Sequence, residues 1–367
     1  MRILILANDD EGLYQFRKEL IVELLKENEV YASVPEGPYK QDLMNLGCKL
    51  ELIQFNRHGI NPIADIKLFL KYRLLIKKIK PSVVLTYTIK PNVYGGLACT
   101  LLKVPFIVNI TGLGSAVENG GFMQIVTILL YKIGIKHAST VFFQNQANKE
   151  FMLSHGVVKN NYEMIPGSGV NLNHFTPLEY PKSDNVEFSF ISRIMKEKGA
   201  DLYLKAAEII KKEYPNTIFH VCGMCEENYY DRLKDLQDKG IIIYHGNLRD
   251  VREIHKSSFC TVHPTYYPEG LSNVLLESLS CCRPIITTDR SGCKEVVEDG
   301  LNGFIVKQKD LNDLVEKIRR FISLSAEKKS ELGKNGRLKV EKEFSREIVV
   351  EKYKNAINRN SKRYEKL

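Results

Sequence analysis

The segment His263–Pro284, HPTYYPEGLSNVLLESLSCCRP, gathers residue types suited to one kind of chemistry. A buried strand ends at Val262, a polar turn follows, and a helix is expected to begin near Ser272. Gly270 permits backbone angles and a close ligand approach that a side chain would forbid. The amides of Gly270, Leu271, Ser272 and Asn273 are then expected unpaired at a helix start, where partial positive charge favours an anion such as a diphosphate. Glu269 and Glu277 flank that start. Eight residues of helix span roughly 12 Å, the order of the reach from a sugar hydroxyl across a diphosphate to a ribose, and carboxylates suit vicinal hydroxyls. Two glutamates at this spacing describe many solvated helices. Set in a strand, a glycine loop and a helix, they point to a nucleotide-sugar site.

A second element is Ile191–Gly199, ISRIMKEKG, which follows another apolar run. Arg193 and Lys198 straddle the turn from strand to helix, where fixed cations can neutralise a diphosphate leaving group as its charge develops. The chain has no D-x-D triplet and no acidic cluster of the kind that holds Mg2+. The expectation is therefore no metal and no cofactor, with Arg193 and Lys198 in the metal's place and the nucleotide sugar as substrate.

These loops need rigid elements behind them, and the chain supplies an alternation of apolar runs with helix-period segments. Strands are expected at Ile3–Ala7, Val30–Val34, Leu50–Phe55, Val83–Thr88, Phe106–Ile110, Thr140–Gln144 and Tyr162–Ile165. A second series covers Val186–Ile191, Thr217–Cys222, Ile241–Tyr244, Phe259–Val262, Pro284–Thr288 and Gly303–Val306. Helical stretches such as Tyr14–Lys26, Pro62–Lys80, Val93–Leu102 and Lys309–Arg320 lie between or after them. Strands separated by helices call for parallel sheets with helices on both faces. A polar, proline-bearing stretch places the linker at about 172–184. The domains are expected at 1–175 and 176–344, with a closing helix from Ser345 over 345–367.

Composition narrows the setting. The chain has 367 residues, 44% hydrophobic and 26% charged, enough for two ordinary domains. No run of about 18 apolar residues exists for a transmembrane helix, and Met1–Ala7 reads as a first strand rather than a signal peptide. A cytoplasmic protein is expected. Of eight cysteines, Cys222 and Cys225 form a lone CxxC, without a second pair at zinc-ligand spacing. All eight are expected to be small core or surface residues. The net charge of +9 is spread over both halves and predicts no nucleic-acid partner. The local exception is Lys67–Lys80, KLFLKYRLLIKKIK, six basic residues without an acid. With Leu68, Phe69, Leu75, Ile76 and Ile79 it forms a basic amphipathic helix. It either covers a sheet or also meets anionic lipid head groups. The apolar stretch Phe122–Ile135 either rests in a lipid surface or is buried core.

Taken together, SRIMKEKG, PEGLSNVLLESLSCCRPII and SGCKEVVEDGLNGFIV resemble the C-terminal half of glycosyltransferase family 4, retaining enzymes of the GT-B fold with two Rossmann-like domains facing across a cleft. The resemblance runs from about residue 188 to 345. It implies that Arg193 and Lys198 contact the donor diphosphate, that Glu269 and the following amides hold the transferred sugar, and that Glu277 binds the ribose. It implies also that the last helix crosses back to the N-terminal domain. The chain departs from the family at Ser192, at the turn Cys222–Met224 and at Cys282, where glycine is frequent, and at Asn8–Gly12, which lacks a frequent double glycine. TYTIKPNVYGGLAC (86–99) and NITGLGSA (109–116) resemble the members that elongate sugars on undecaprenyl diphosphate in capsule, O-antigen or glycoprotein pathways. On that resemblance Lys90, Asn109, Thr111 and Gly12 fall to the acceptor side. A UDP-sugar donor, a lipid-linked sugar acceptor and an anionic membrane surface on the inner face of the cell membrane become the expected partners.

The family implies retention at the anomeric carbon. A retaining glycosidase places two carboxylates about 5 Å apart, and no such pair can be assigned from this sequence. Front-face displacement is the favoured chemistry: a donor phosphate oxygen accepts the acceptor proton as the glycosidic bond breaks, and the protein supplies position and charge. Glu269 then holds the sugar and stabilises its developing positive charge. A twin-Rossmann oxidoreductase lacks its G-x-G-x-x-G. A nucleotide-sugar epimerase or hydrolase of the same fold, and a catalytically silent relative, remain as alternatives.

Overall fold

The computed structural model describes residues 1–56, 61–118 and 120–364. The last three residues of the expected closing helix lie outside them. The chain adopts the expected α/β class as two Rossmann-like units, Met1–Gly169 with Arg346–Leu367, and Val170–Ser345. Each unit is a parallel sheet whose strands alternate side chains between two apolar layers.

In the first unit the described strands are β1 (Arg2–Leu6), β2 (Glu29–Val34), β3 (Lys49–Leu52), β4 (Val83–Tyr87), β5 (Phe106–Ile110), β6 (Thr140–Phe143) and β7 (Tyr162–Met164). They lie in the order β3-β2-β1-β4-β5-β6-β7. The helices are α1 (Asp10–Leu25), α2 (Lys40–Asn45), α3 (Pro62–Ile79), α4 (Gly96–Leu102), α5 (Ser115–Glu118), α6 (Gly121–Gly134) and α7 (Gln146–Ser154), with a π-helical turn Pro91–Gly95 leading into α4. On β1, Leu4 and Leu6 face a core shared with α3, α4 and α6, whereas Ile3 and Ile5 face one shared with α1. The sequence of α3 sets its own limits. Asn61 Oδ1 accepts from the amides of Ile63 and Ala64, Pro62 opens the first turn, and Lys80 leaves the helix at φ +53° before Pro81. Gly96 and Gly134 let α4 and α6 touch backbone to backbone: a Cβ on Gly96 would stand 2.3 Å from Gly134 O.

The second unit holds β8 (Val186–Ile191), β9 (Thr217–Cys222), β10 (Ile243–Tyr244), β11 (Cys260–His263), β12 (Ile285–Thr288) and β13 (Gly303–Val306), in the order β10-β9-β8-β11-β12-β13. Its helices are α8 (Ala200–Glu213), α9 (Tyr230–Asp238), α10 (Arg252–Ser257), α11 (Asn273–Ser280), α12 (Leu311–Ser323) and α13 (Ala326–Glu343). The chain then returns to the first unit as α14 (Arg346–Tyr364). There Val349, Tyr353, Ala356 and Ile357 join the core of α1 and β4. Arg346 Nε donates to Gly169 O at 3.0 Å, and its Nη1 meets Glu19 at 2.5 Å.

The first boundary differs from expectation. It falls after Gly169 rather than after residue 175, because Val170 donates to Phe344 O at 2.9 Å and is buried with Leu275 and Leu279. The expected linker is likewise part of the second unit. Arg283 is wholly buried and spreads its guanidinium over carbonyls of His255, Lys256, Leu178 and Glu179, which ties the stretch down. The return crossing falls between Ser345 and Arg346, one residue later than expected. The eight cysteines are all free thiols.

Candidate active site

In the second sheet the strand order reverses between β8 and β11, which lie side by side with Cys260 opposite Phe188. Loops leaving the carboxyl ends of two such strands diverge to opposite sides and leave a crevice, the place where open parallel sheets bind ligands. The two loops here are Ser192–Gly199 and Pro264–Ser272. They are knitted together by the Tyr266 amide, which donates to Glu197 O at 2.9 Å, and by the Thr265 hydroxyl on the same carbonyl at 3.3 Å. Gly199, at φ +84°, allows the approach: a Cβ there would stand 2.3 Å from Pro264 O.

The loops meet at their charges. Lys198 Nζ lies 2.6 Å from Glu269 Oε1, with both side chains only 11–12% exposed. His263, at the end of β11, is buried, and its Nε2 stands 3.4 Å from the same oxygen. Burial alone would push the Glu269 carboxyl up, but the Lys198 charge and the His263 hydrogen bond outweigh it and hold the group well below the usual carboxylate range. Burial also pushes His263 down, so the ring is neutral. A neutral imidazole facing a carboxylate must carry its proton on Nε2. Nδ1 is then an acceptor, buried and without a hydrogen-bond partner among the described residues. Arg193 Nη1 donates to both oxygens of Glu226, at 3.0 and 2.8 Å. The Tyr267 ring joins the cations, 5.2 Å from the Arg193 guanidinium and 4.8 Å from Lys198 Nζ.

The amides after Glu269 divide. The Ser272 amide donates to Gly292 O at 2.8 Å, so it is committed to the neighbouring loop and is not open to an anion as expected. Gly270 and Leu271 are buried ahead of it, Gly270 with an interaction of its own. The first amides of α11, beginning with Asn273, have no i−4 carbonyl within the helix. Asn273 Oδ1 is buried without a partner among the described residues. Glu277 is half-buried one turn further along α11. Arg193, Lys198, Glu269 and the start of α11 thus share one sheet edge, within the second unit alone.

The first unit places its residues less uniformly. Gly12 lies in the first turn of α1, its amide held by the Asp9 carboxylate at 2.5 Å. Thr111 is half-buried at the carboxyl end of β5. Lys90, just past β4, is paired with Asp65 at 2.8 Å. Asn109 does not meet expectation. It is wholly buried, donates to Tyr353 Oη at 2.6 Å and accepts from Gln144 at 3.1 Å, so it anchors α14 instead of reaching a ligand. Thr88, a β-branched residue at φ +69° beside Lys90, is a strained position the sequence did not flag. His263 and Tyr267 were also missed, although both stand in the segment around Glu269. Glu226 carries no local signal beyond an acid after a strand end.

Comparisons with known proteins follow the same division. Residues 178–339 match the family model for glycosyl transferases group 1, and residues 2–145 match that for glycosyl transferase 4-like domains. The chain is 29% identical over 337 residues to the N,N'-diacetylbacillosaminyl-diphospho-undecaprenol alpha-1,3-N-acetylgalactosaminyltransferase of Campylobacter jejuni, covering 87% of this chain and 88% of that one. It is 28% identical over 319 residues to the capsular polysaccharide biosynthesis glycosyltransferase CapM of Staphylococcus aureus, covering 82% and 83%. The crystal structure of HepE from Anabaena in complex with UDP and glucose superposes with a TM-score of 0.81 over 98% of this chain and 99% of that one. At 17% identity this is a likeness of fold, and that fold is GT-B.

Proposed function

The chain belongs to glycosyltransferase family 4, and from that premise we propose that it moves a hexose or N-acetylhexosamine from a UDP-sugar, with retention, to a sugar carried on a lipid diphosphate. One observation carries the reading: the Lys198–Glu269 pair at the point where the second sheet reverses, with Arg193 and the first amides of α11 beside it. The acceptor class rests on the undecaprenol-linked substrate named for the Campylobacter relative. The donor nucleotide rests on the UDP of HepE, which shares the fold.

In this reading the diphosphate takes Glu226's place on Arg193, and Lys198 shares its three donors between Glu269 and a phosphate oxygen. The α11 amides supply a third source of positive potential. As the glycosidic bond breaks, charge gathers on the leaving UDP, where these groups already stand. Against its burial, the Lys198 charge and the His263 hydrogen bond favour the ionised form of Glu269, which suits a stabilising carboxylate rather than a general acid. Its carboxylate holds a sugar hydroxyl and faces the positive charge developing at the anomeric carbon. The acceptor proton passes to a leaving-phosphate oxygen on the same face. Two fixed cations at the diphosphate support a reaction without metal. A lipid-anchored acceptor, and the lysines and outward apolar residues of α3 and α6, support work at an anionic surface on the inner face of the membrane.

The test is free-nucleotide release from a panel of UDP- and GDP-sugars in EDTA, with and without a polyprenyl-diphosphate sugar. We expect release from one UDP-sugar that needs acceptor, survives EDTA and yields an α-linked product. Release without acceptor, release lost in EDTA, or a β-linked product would each overturn the corresponding part of the reading.

A further inference from the structure

Two helices of the first unit carry large apolar residues on the side turned away from their core. On α3 they are Ile63, Ile66, Leu70 and Leu74; on α6 they are Phe122, Ile125, Leu129 and Ile133, all 45–77% exposed. Both sets repeat the same offsets along the chain, which places each on one stripe of its helix about 16 Å long. The stripes are additional to the core-facing sides, where Leu68, Tyr72 and Leu75 of α3 and Tyr131 of α6 are buried. Soluble monomers rarely leave contiguous apolar surface of this kind in water. Five exposed charges beside it are basic, Lys67 and Lys71 on α3, Lys103 after α4, Lys132 on α6 and Lys136 after it, against the exposed Glu118 ahead of α6. Asp65, the one acid of α3, is buried against Lys90.

Between α3 and α4 the same helical layer opens a groove of about 400 Å3, the size of a small-molecule pocket (about 300–1,000 Å3). Ile66, Phe69, Leu97 and Leu101 make its walls almost wholly apolar. Of its polar lining residues, Thr100 lies beside Leu101 in the last turn of α4, and the other two lie at the opposite end. Asp65 lies in the first turn of α3, and Tyr94 lies in the turn leading into α4. Helices that cross back over a parallel sheet begin at its carboxyl edge. That end therefore opens at the edge carrying Thr88, Lys90 and Thr111, and Leu101, in the last turn of α4, marks the other.

We propose that this groove receives the isoprenoid chain of the acceptor, with the diphosphate end toward Lys90 and the tail leading into an anionic leaflet against which the α3 and α6 stripes lie. The proposal deepens the acceptor class proposed above and rests on it. An isoprenoid is apolar along its whole length and ends in two phosphates. The groove is apolar along most of its length and ends at the Asp65–Lys90 ion pair, with Lys67, Lys71 and Lys103 exposed on the surface around it. The charged end of the groove and the charged end of the lipid fall together in that orientation, and the exposed lysines around the groove match an anionic leaflet in sign.

The test compares two acceptors bearing the same sugar diphosphate, one on a long isoprenoid and one on a short alkyl chain, in nonionic detergent so that bilayer adsorption does not enter. Ile66→Asn and Leu101→Asn, both at exposed positions, are expected to raise KM for the isoprenoid acceptor at least about ten-fold. Within two-fold, kcat and the short-chain KM should hold. Leu129→Asn, on the α6 stripe outside the groove, should leave both acceptors unchanged. Equal effects on the two acceptors, no effect, or the same KM rise in Leu129→Asn would overturn the groove assignment. A second readout needs no transfer: a diazirine-bearing isoprenyl monophosphate should label the peptides 63–70 and 94–101 of the wild-type chain. Label there without transfer to any lipid-diphosphate sugar would sink the acceptor reading and leave the groove standing. Transfer with label elsewhere would do the reverse. A dimer by sedimentation that Leu101→Asn dissolves would give the face to a second copy and overturn the proposal.

Discussion

At the scale of single residues, Glu269 is the sharpest test. Alanine would leave Lys198 with no acceptor and open a cavity besides, confounding stability with chemistry, whereas a glutamine oxygen can still accept from Lys198. Glu269→Gln keeps the shape, and we expect kcat to fall by about 10^2–10^3 while the circular-dichroism melt moves by only a few degrees. An unchanged kcat would remove Glu269 from the reaction. Cys282 offers a test of strain. The family frequently has glycine there, and the structure shows why: Cys282 sits at φ +57°, in the left-handed region. Cys282→Gly relieves that strain but frees the unfolded chain, so the net expectation is a gain of about 0.5–1 kcal/mol, read as a higher Tm. A lower Tm would show that the Cys282 side chain packs better than its backbone fits. Glu269, Arg193 and Lys198 were legible in the sequence because each follows a strand end at short range. Asn109 was not. Its partner Tyr353 lies 244 residues away, and nothing near either residue announces the hydrogen bond.

At the scale of elements, α10 carries a pH dependence. His255 is buried with neither ring nitrogen partnered among the described residues. Burial, helped by the Arg283 charge, pushes its pKa down to about 3 from the ordinary 6.5. The unfolded chain therefore binds a proton that the folded one refuses between those values. Stability is full above about pH 6.5 and is lost as pH falls toward 3, at up to about 1.4 kcal/mol per pH unit. His255→Leu should flatten the fall in Tm between pH 6.5 and 4, and an unchanged slope would assign the acid sensitivity elsewhere. The outward stripes make a second prediction. Leu74→Glu combined with Leu129→Glu should abolish cosedimentation with anionic vesicles, and added salt should weaken the wild type only in part, since apolar contact is unscreened. Retained binding in the double variant would leave adsorption to the lysines alone. Strand positions were legible for β5, β8 and β9 inside their sheets and for β13 at an edge, all of which run as their apolar segments read. The edge strands β3 and β10 are shorter than their sequences suggest. An edge strand pairs on one side only, and β3 ends where Val34 of β2, opposite Leu52, ends the ladder.

At the scale of the whole molecule, the chain leaves the first unit at Gly169 and re-enters it at Arg346. The re-entering helix is part of a core. Tyr353 packs 4.7 Å from the Phe142 ring and 6.1 Å from Tyr87, and Lys352 donates to Met164 O at 2.7 Å. A chain ending at Ser345 should therefore expose the α1 side of the first sheet. We expect it to aggregate or to lose the first unit's melting transition while the second unit still melts cooperatively. An intact first transition would mean that α14 only decorates the surface. The same return path orders events during synthesis. A ribosome delivers Val170–Ser345 in full before it delivers Arg346–Tyr364, so the first unit is completed only after the second. Until the final helix arrives, Phe142, Tyr87 and Asn109 lack their cover, and the nascent chain carries an open apolar sheet face beside a second unit whose sequence is already whole. Sheet faces of this kind are where a newborn chain misassembles or meets a chaperone, and the interval of exposure is set by the length of the second unit.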